Sequence, residues 1–211
     1  MQLKAVIFDL DGTIIDSLPL IKLTFEKVFE DFGIPWGNGE VLKTVGLPLR
    51  DVAASYAPGR VEEFLAAYVK IQNKYQEKLL KAYPGAAETL ETLQKRGYRL
   101  ALATSKRRPA TIAGLALTGL DRYLEAVVTV EDVPRPKPNP DTLFKTLELL
   151  KMEPAEAVYV GDSWYDILTG KNAGVPTIGV TWGMATREEL AAHTPDFIVD
   201  TWEELLSLLD R

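Results

Sequence analysis

The chain has 211 residues, of which 46% are hydrophobic and 26% are charged, a composition typical of a globular protein with a substantial core. The formal net charge of −6 argues against a broad nucleic-acid-binding surface, because binding a phosphate backbone needs clustered lysine and arginine. Cysteine is absent and His193 is the only histidine, which excludes disulfides, thiolate catalysis and zinc sites that need cysteine or several histidines.

The N-terminal residues predict a buried strand rather than a targeting segment. Residues 3–8 form a short apolar run that stops at Asp9, and no basic region followed by a long apolar run precedes it. No apolar stretch reaches the roughly 20 residues that a helix needs to cross a bilayer. We therefore expect a cytoplasmic protein that does not bind a membrane.

Apolar runs alternate with helical patterns along most of the chain. Further strands are predicted at 99–103, 157–160, 177–180 and 196–199, with a weaker candidate at 126–129. Helices are predicted at 88–95, at 140–151 with Asn139 as the N-cap, and at 202–209. This alternation predicts an α/β fold with a doubly wound, mostly parallel, Rossmann-like sheet.

Residues 16–81 interrupt the alternation and contain no convincing strand. They predict helices at about 18–32 and 60–80, separated by turns that glycine and proline mark at 33–35 and 46–48. We therefore expect an α/β core made of residues 1–15 and 82–211, with an α-helical domain inserted at 16–81.

Polar residues follow several of the predicted strands, at the edge where an open parallel sheet binds its ligands. They are Asp9 and Asp11 after the first strand, Thr104 and Ser105 after 99–103, Lys137 in a later loop, and Asp162, Ser163 and Asp166 after 157–160. Separated acids that converge with one lysine are what metal-assisted phosphoryl transfer requires.

Asp9 and Asp11 repel each other unless a cation lies between them. Asp9 and Asp162 offer the hard oxygen ligands that Mg²⁺ prefers. A carboxylate such as Asp9 can also attack phosphorus and form an aspartyl-phosphate, while Asp11 protonates the leaving group and later deprotonates water. These residue types predict a Mg²⁺-dependent phosphohydrolase.

The phosphate itself needs donors and space. The Thr104 hydroxyl, the Ser105 amide and the Lys137 ammonium are candidates to bind its equatorial oxygens. Gly12 allows the backbone to approach the phosphate closely because it has no Cβ.

Four segments, at 9–13, 103–105, 136–138 and 161–166, resemble in order the signature motifs of the haloacid dehalogenase (HAD) superfamily, and 166–174 continues the last motif in a typical way. The resemblance implies Asp9 as nucleophile and metal ligand, and Asp11 as general acid and base with its backbone carbonyl on Mg²⁺. It implies Asp162 as the other protein ligand, with Ser163 and Asp166 supporting the ligands from outside or through water.

The resemblance also identifies residues 16–81 as the cap, a helical domain that closes over such sites and contributes specificity. Arg50 follows the turn at 46–49, where caps of this kind carry a loop that contacts substrate. Segments 16–19 and 46–49 most resemble phosphoglycolate phosphatases and related pyrophosphatases. We expect a small anionic phosphate monoester as substrate, phosphoglycolate-like, and a monomer or homodimer.

Alternatives are weighed on single residues. A dehalogenase on the same scaffold needs no acid two residues after the nucleophile, so Asp11 argues against that activity. An Asp-Gly pair taken alone is as readily a turn as part of an active site, but the three later motifs favour the active site. A mutase resembling beta-phosphoglucomutase tends to have Val where this chain has Thr13 and His where it has Ile21. A catalytically inactive binding or regulatory protein would not need every motif residue, and this chain has all of them. Pyrophosphatase activity stays an alternative.

The charged residues at 106–108 are interpreted as the solvent-exposed start of a helix.

Overall fold

The computed structural model describes residues 3–210, which form one large sheet, one two-stranded sheet and helices around them. The strands are β1 (Ala5–Phe8), β2 (Ile15–Asp16), β3 (Lys81–Ala82), β4 (Arg99–Ala103), β5 (Ala126–Val128), β6 (Ala157–Gly161), β7 (Thr177–Val180) and β8 (Phe197–Val199). The helices are α1 (Leu18–Phe32), α2 (Leu49–Tyr56), α3 (Val61–Leu79), α4 (Ala86–Lys95), α5 (Arg108–Thr118), α6 (Asp141–Leu150), α7 (Trp164–Ala173), α8 (Arg187–Ala192) and α9 (Trp202–Leu208).

The large sheet has the order β5-β4-β1-β6-β7-β8, and all its pairs are parallel. All four residues of β1 are buried because helices cover both faces of the sheet. Val6 and Phe8 belong to one hydrophobic cluster, whereas Ala5 and Ile7 belong to the cluster on the opposite face. The predicted α/β fold is confirmed. Its central strand β1 lies between β4 and β6, so the carboxyl ends of these three strands are neighbours.

Helices α1, α2 and α3 share a third hydrophobic cluster, which contains the aromatic side chains of Phe25, Phe29, Phe64 and Tyr68. The predicted helices at 18–32 and 60–80 are confirmed as α1 and α3, while α2 was not predicted. Among residues 3–210, no helix is both long and apolar enough to cross a membrane.

The small sheet lies where the cap joins the core. β2 pairs antiparallel with β3, in the register Ile15 with Ala82 and Asp16 with Lys81. The expectation of no strand in 16–81 is therefore wrong at both ends of that segment. The chain enters and leaves the cap through adjacent strands, which span the predicted division at 15/16 and 81/82. That division stays a prediction.

The predicted start of the 140–151 helix is wrong by one residue. α6 begins at Asp141, Pro140 occupies the N-cap position, and no side chain caps the helix there. Asn139 instead donates from Nδ2 to the Pro136 carbonyl at 3.0 Å. Its amide therefore closes the turn that carries Lys137 rather than capping the helix.

Candidate active site

Asp9 and Lys137 meet in a buried ion pair at the carboxyl end of β1. Asp9 is 4% exposed, and its backbone N–H donates to the Val160 carbonyl at 2.9 Å. The Lys137 ammonium is buried and lies 2.8 Å from Asp9 Oδ1, 2.6 Å from Asp166 Oδ1 and 2.9 Å from the Tyr159 hydroxyl. All three ammonium hydrogens thus have an oxygen partner, which fixes the position of the charge.

The carboxylates at this site carry more negative charge than Lys137 offsets. Burial raises the pKa of the Asp9 carboxyl to about 6, with Lys137 acting against the rise. Burial also raises the pKa of Asp162 well above its usual range, and the Asp166 and Asp9 carboxylates add to it. Burial lowers the pKa of Lys137, but Asp166 and Asp9 outweigh it and the pKa is raised well above its usual value.

Asp9, Asp162 and Asp166 form a buried group in which one carboxylate oxygen from each residue lies within 4.8 Å of the other two. Asp162 accepts from the Thr13 hydroxyl at 3.2 Å and from the Met184 backbone N–H at 2.8 Å. Hard oxygen donors and uncompensated negative charge are what Mg²⁺ binding needs, so these residues fit that ion. Asp11 lies outside this group of carboxylates, and its metal contact stays a prediction.

Two glycines allow the chain to fold tightly around Asp162. A Cβ on Gly12, whose φ is +77°, would lie 2.1 Å from Asp162 Oδ2. A Cβ on Gly183 would lie 2.3 Å from the Asp162 side chain and 2.4 Å from the Gly12 carbonyl. Gly12 is therefore required for close packing against the Asp162 carboxylate, while its predicted approach to the phosphate stays a prediction.

A cavity of about 540 Å³ opens between the core and the cap, and Asp9, Asp11, Thr104 and Ser105 line its core side. Thr104 accepts from the Lys106 backbone N–H at 3.2 Å. The Ser105 hydroxyl is buried and has no hydrogen-bond partner among residues 3–210. An unpartnered buried hydroxyl at a cavity wall suits a ligand oxygen.

Lys106 holds Asp11. Its ammonium lies 2.8 Å from one carboxylate oxygen of Asp11 and 2.9 Å from the other, and both side chains are at most 15% exposed. The interpretation of 106–108 as a solvated charge run is wrong for Lys106. It holds for Arg107 and Arg108, which pair at the surface with acidic side chains.

Asp166 and Ser163 hold each other at the start of α7. Asp166 Oδ2 accepts from the Ser163 hydroxyl at 2.5 Å and from its backbone N–H at 3.1 Å. This capping box orients Asp166 so that its other oxygen meets Lys137. The pair thus positions the Lys137 ammonium, and its predicted support of the metal ligands stays a prediction.

Arg50 is not brought to the cavity. Its guanidinium pairs with Glu62 at 2.7 Å, and both side chains are more than half exposed. It lines a second cavity, whose wall includes Leu65 of the cap and Val130 of the core. Its predicted substrate contact therefore lacks geometric support in this arrangement of the cap.

Comparison with known proteins settles the family. Residues 6–180 match the family model of haloacid dehalogenase-like hydrolases. The chain belongs to this family. The pyrophosphatase PpaX of Anoxybacillus flavithermus is 37% identical over 210 residues, which cover 99% of this chain and 98% of that protein.

Solved structures in this family resemble the chain along its whole length. A predicted phosphoglycolate phosphatase from Haemophilus somnus is 27% identical with a TM-score of 0.84, covering 99% of this chain and 98% of its own. A predicted phosphatase from Clostridium acetobutylicum is 26% identical with a TM-score of 0.85, and the match covers both chains completely. The match includes the cap as well as the HAD core.

Two contributors to this HAD site were missed by sequence reasoning. Tyr159 was assigned to a buried strand, yet its hydroxyl also lies 2.9 Å from Asp166 Oδ1 and from the Ala103 carbonyl. A phenol in a buried run needs a polar partner, which is a signal that the sequence did contain. The Met184 amide lies beyond β7, and no residue pattern marks its bond to Asp162.

Proposed function

We propose that the chain is a Mg²⁺-dependent phosphohydrolase that acts on small phosphate compounds through an aspartyl-phosphate on Asp9. One observation carries the proposal: Asp9 lines the cavity while its other contacts fix it between Lys137 and the Asp162–Asp166 carboxylates. A nucleophile needs this combination of access to substrate and fixed orientation.

In the first half-reaction, a carboxylate oxygen of Asp9 attacks phosphorus and the bond from phosphorus to the leaving oxygen breaks. Asp11, two residues further along the same wall of the cavity, gives its proton to that leaving oxygen. The Ser105 and Thr104 groups bind the equatorial oxygens as charge shifts onto them.

In the second half-reaction, a water oxygen attacks the phosphorus of the aspartyl-phosphate, and the bond to the Asp9 oxygen breaks. Asp11 takes a proton from that water and returns to its starting state. Asp9, Asp162 and the Asp11 carbonyl would hold Mg²⁺, which neutralises phosphoryl charge when bound. Lys137 keeps Asp9 oriented and lessens the repulsion that an incoming phosphate meets.

The substrate class rests on the cavity and on the relatives. A phosphoglycolate-like monoester is the first candidate, supported by the similarity to phosphoglycolate phosphatase structures. Pyrophosphate is the second, supported by the 37% identity to a pyrophosphatase. The mutase alternative is disfavoured because Ile21, an apolar side chain, lines the cavity at the position considered for a histidine.

The test is phosphate release from a panel of phosphate esters and pyrophosphate. Wild-type protein should release phosphate with Mg²⁺ and stop when a chelator is added. Asp9→Asn should lose nearly all turnover because an amide is a poor nucleophile and a poorer Mg²⁺ ligand. Asp141→Asn is a matched control, since Asp141 pairs with the exposed Arg135 and lies outside the cavity lining. Substantial turnover by Asp9→Asn would contradict the aspartyl-phosphate mechanism.

A further inference from the structure

We propose that Lys106 binds a second anionic group of the substrate and, by leaving Asp11, releases that residue for proton transfer. The inference rests on the function proposed above and narrows its substrate class. It predicts a preference for phosphate compounds whose leaving group itself carries a carboxylate or phosphate, the chemistry that phosphoglycolate and pyrophosphate share.

The ion pair of Lys106 and Asp11 is the first observation. Both carboxylate oxygens of Asp11 lie within 2.9 Å of the same ammonium, so neither is directed at a leaving oxygen. Both residues line the cavity where the leaving group must lie. Asp11 is therefore held away from its proposed task until the ammonium finds another anion.

The charge of the cavity wall is the second observation. The cap residues that line it in the described part of the chain are all uncharged. They are Ile21, Phe25, Thr44, Val45, Gly46, Leu47, Leu49, Val52, Tyr68, Val69, Gln72, Asn73 and Gln76. Of the two lining cations, Arg107 pairs with Glu131 and its side chain is 47% exposed. A second substrate anion in this cavity thus meets Lys106 as its nearest enclosed cation.

Gln72 is the third observation. It lies on α3, it is 7% exposed, and it lines the cavity. Lys106 lines the same cavity from the core side. An anion between them would accept from the amide and from the ammonium, so both sides of the cavity contribute to its binding.

The exchange balances in charge and protons. The Lys106 ammonium moves from the Asp11 carboxylate to the substrate anion and keeps its proton. The released Asp11 takes a proton from solvent, gives it to the leaving oxygen, and receives one from the attacking water. It returns this last proton to solvent when Lys106 pairs with it again. A leaving group without a second anion gives Lys106 no reason to move, and Asp11 stays paired.

Lys106→Met tests this exchange with pyrophosphate, 2-phosphoglycolate and ethyl phosphate as substrates in Mg²⁺. For the two substrates with a second anion, kcat/KM should fall roughly 10–100-fold, mainly through KM, since a bond to a charged group is lost. For ethyl phosphate, kcat should rise because Asp11 is no longer held. The two anionic substrates together show whether a phosphate, a carboxylate or both are accepted.

Arg107→Met is the matched control, because it removes a neighbouring positive charge that is already paired with Glu131. It should change the ratio of the substrates' kcat/KM values by less than about threefold, since screening weakens an exposed charge. Lys106→Arg, which keeps the cation, should retain much of the preference. Methylenediphosphonate, a pyrophosphate analogue that is not hydrolysed, should inhibit Lys106→Met more weakly than wild type.

Three outcomes would overturn the inference. The first is an equal loss for all substrates in Lys106→Met, and the second is the same change in Arg107→Met. The third is an unchanged ratio and unchanged inhibition in a Lys106→Met protein with the wild-type melting temperature. If wild-type protein released no phosphate from any of the three substrates, the proposed function would fail first. If the wild-type protein is active but one of these three outcomes is found, the inference about Lys106 is contradicted and the proposed function is not.

Discussion

The Lys137 ammonium is buried, and it donates hydrogen bonds to oxygens of Asp9, Asp166 and Tyr159. Such an arrangement is costly to form because the charges leave water, and it is more costly to break. The Asp9 and Asp166 carboxylates have no comparable cation to turn to among the described residues that contact them. The lysine therefore matters to the fold as well as to the chemistry.

Lys137→Met should lower the free energy of unfolding by roughly 3–5 kcal/mol, because two buried carboxylates lose their counter-ion. It should also abolish phosphate turnover. Urea denaturation measures the first effect. Lys145→Met is the control: it removes an exposed lysine that pairs with Glu148 on α6, and should cost less than about 1 kcal/mol. A Lys137→Met protein as stable as the control would contradict this account of the ion pair.

At the level of elements, the sequence predicts the buried strands from their apolar runs and the site residues from the positions where those strands end. β1, β4 and β6 were predicted because buried parallel strands form continuous apolar runs, and their ends gave Asp9, Thr104 and Asp162. α2 was missed because its eight residues are too few for a clear helical pattern. Lys106 was misread because a charge run does not reveal which of its side chains turns inward.

The cap helices carry their own hydrophobic cluster, separate from the two clusters that cover the sheet. Phe64 is fully buried at its centre, and its ring lies 5.4 Å from that of Phe32 and 6.3 Å from that of Phe29. The polypeptide passes between cap and core at the β2–β3 pair. We therefore expect the cap to lose structure as a unit while the sheet remains folded.

Phe64→Ala should destabilise the cap by roughly 3–5 kcal/mol, the usual cost of emptying a buried aromatic site. Amide hydrogen exchange should then accelerate throughout α1 and α3 and stay slow in β1, β4 and β6. Ile112→Ala, which removes an exposed side chain on α5, should leave both regions unchanged. Equal acceleration in cap and sheet would mean that the two unfold together and that the predicted division is wrong.

At the scale of the whole molecule, the three buried carboxylates couple metal binding to stability. Asp9, Asp162 and Asp166 converge from the ends of β1 and β6 and the first turn of α7, so their mutual repulsion acts on the folded state. In the unfolded chain the three carboxylates lie far apart and their repulsion is relieved. A divalent cation that binds the folded cluster should therefore raise the melting temperature.

At 100 times its Kd, Mg²⁺ should add about 2.7 kcal/mol to the free energy of unfolding. For a chain of this size that corresponds to a rise in melting temperature of roughly 5–11 °C. Calorimetry in MgCl₂ and in NaCl of equal ionic strength separates ion binding from screening. The Asp162→Asn protein should not show the rise in melting temperature with Mg²⁺. The Asp196→Asn protein should still show it, because the Asp196 carboxylate accepts a hydrogen bond from Thr177 away from the cluster. Equal melting temperatures of the wild-type protein in the two salts would show that the cluster does not bind the ion.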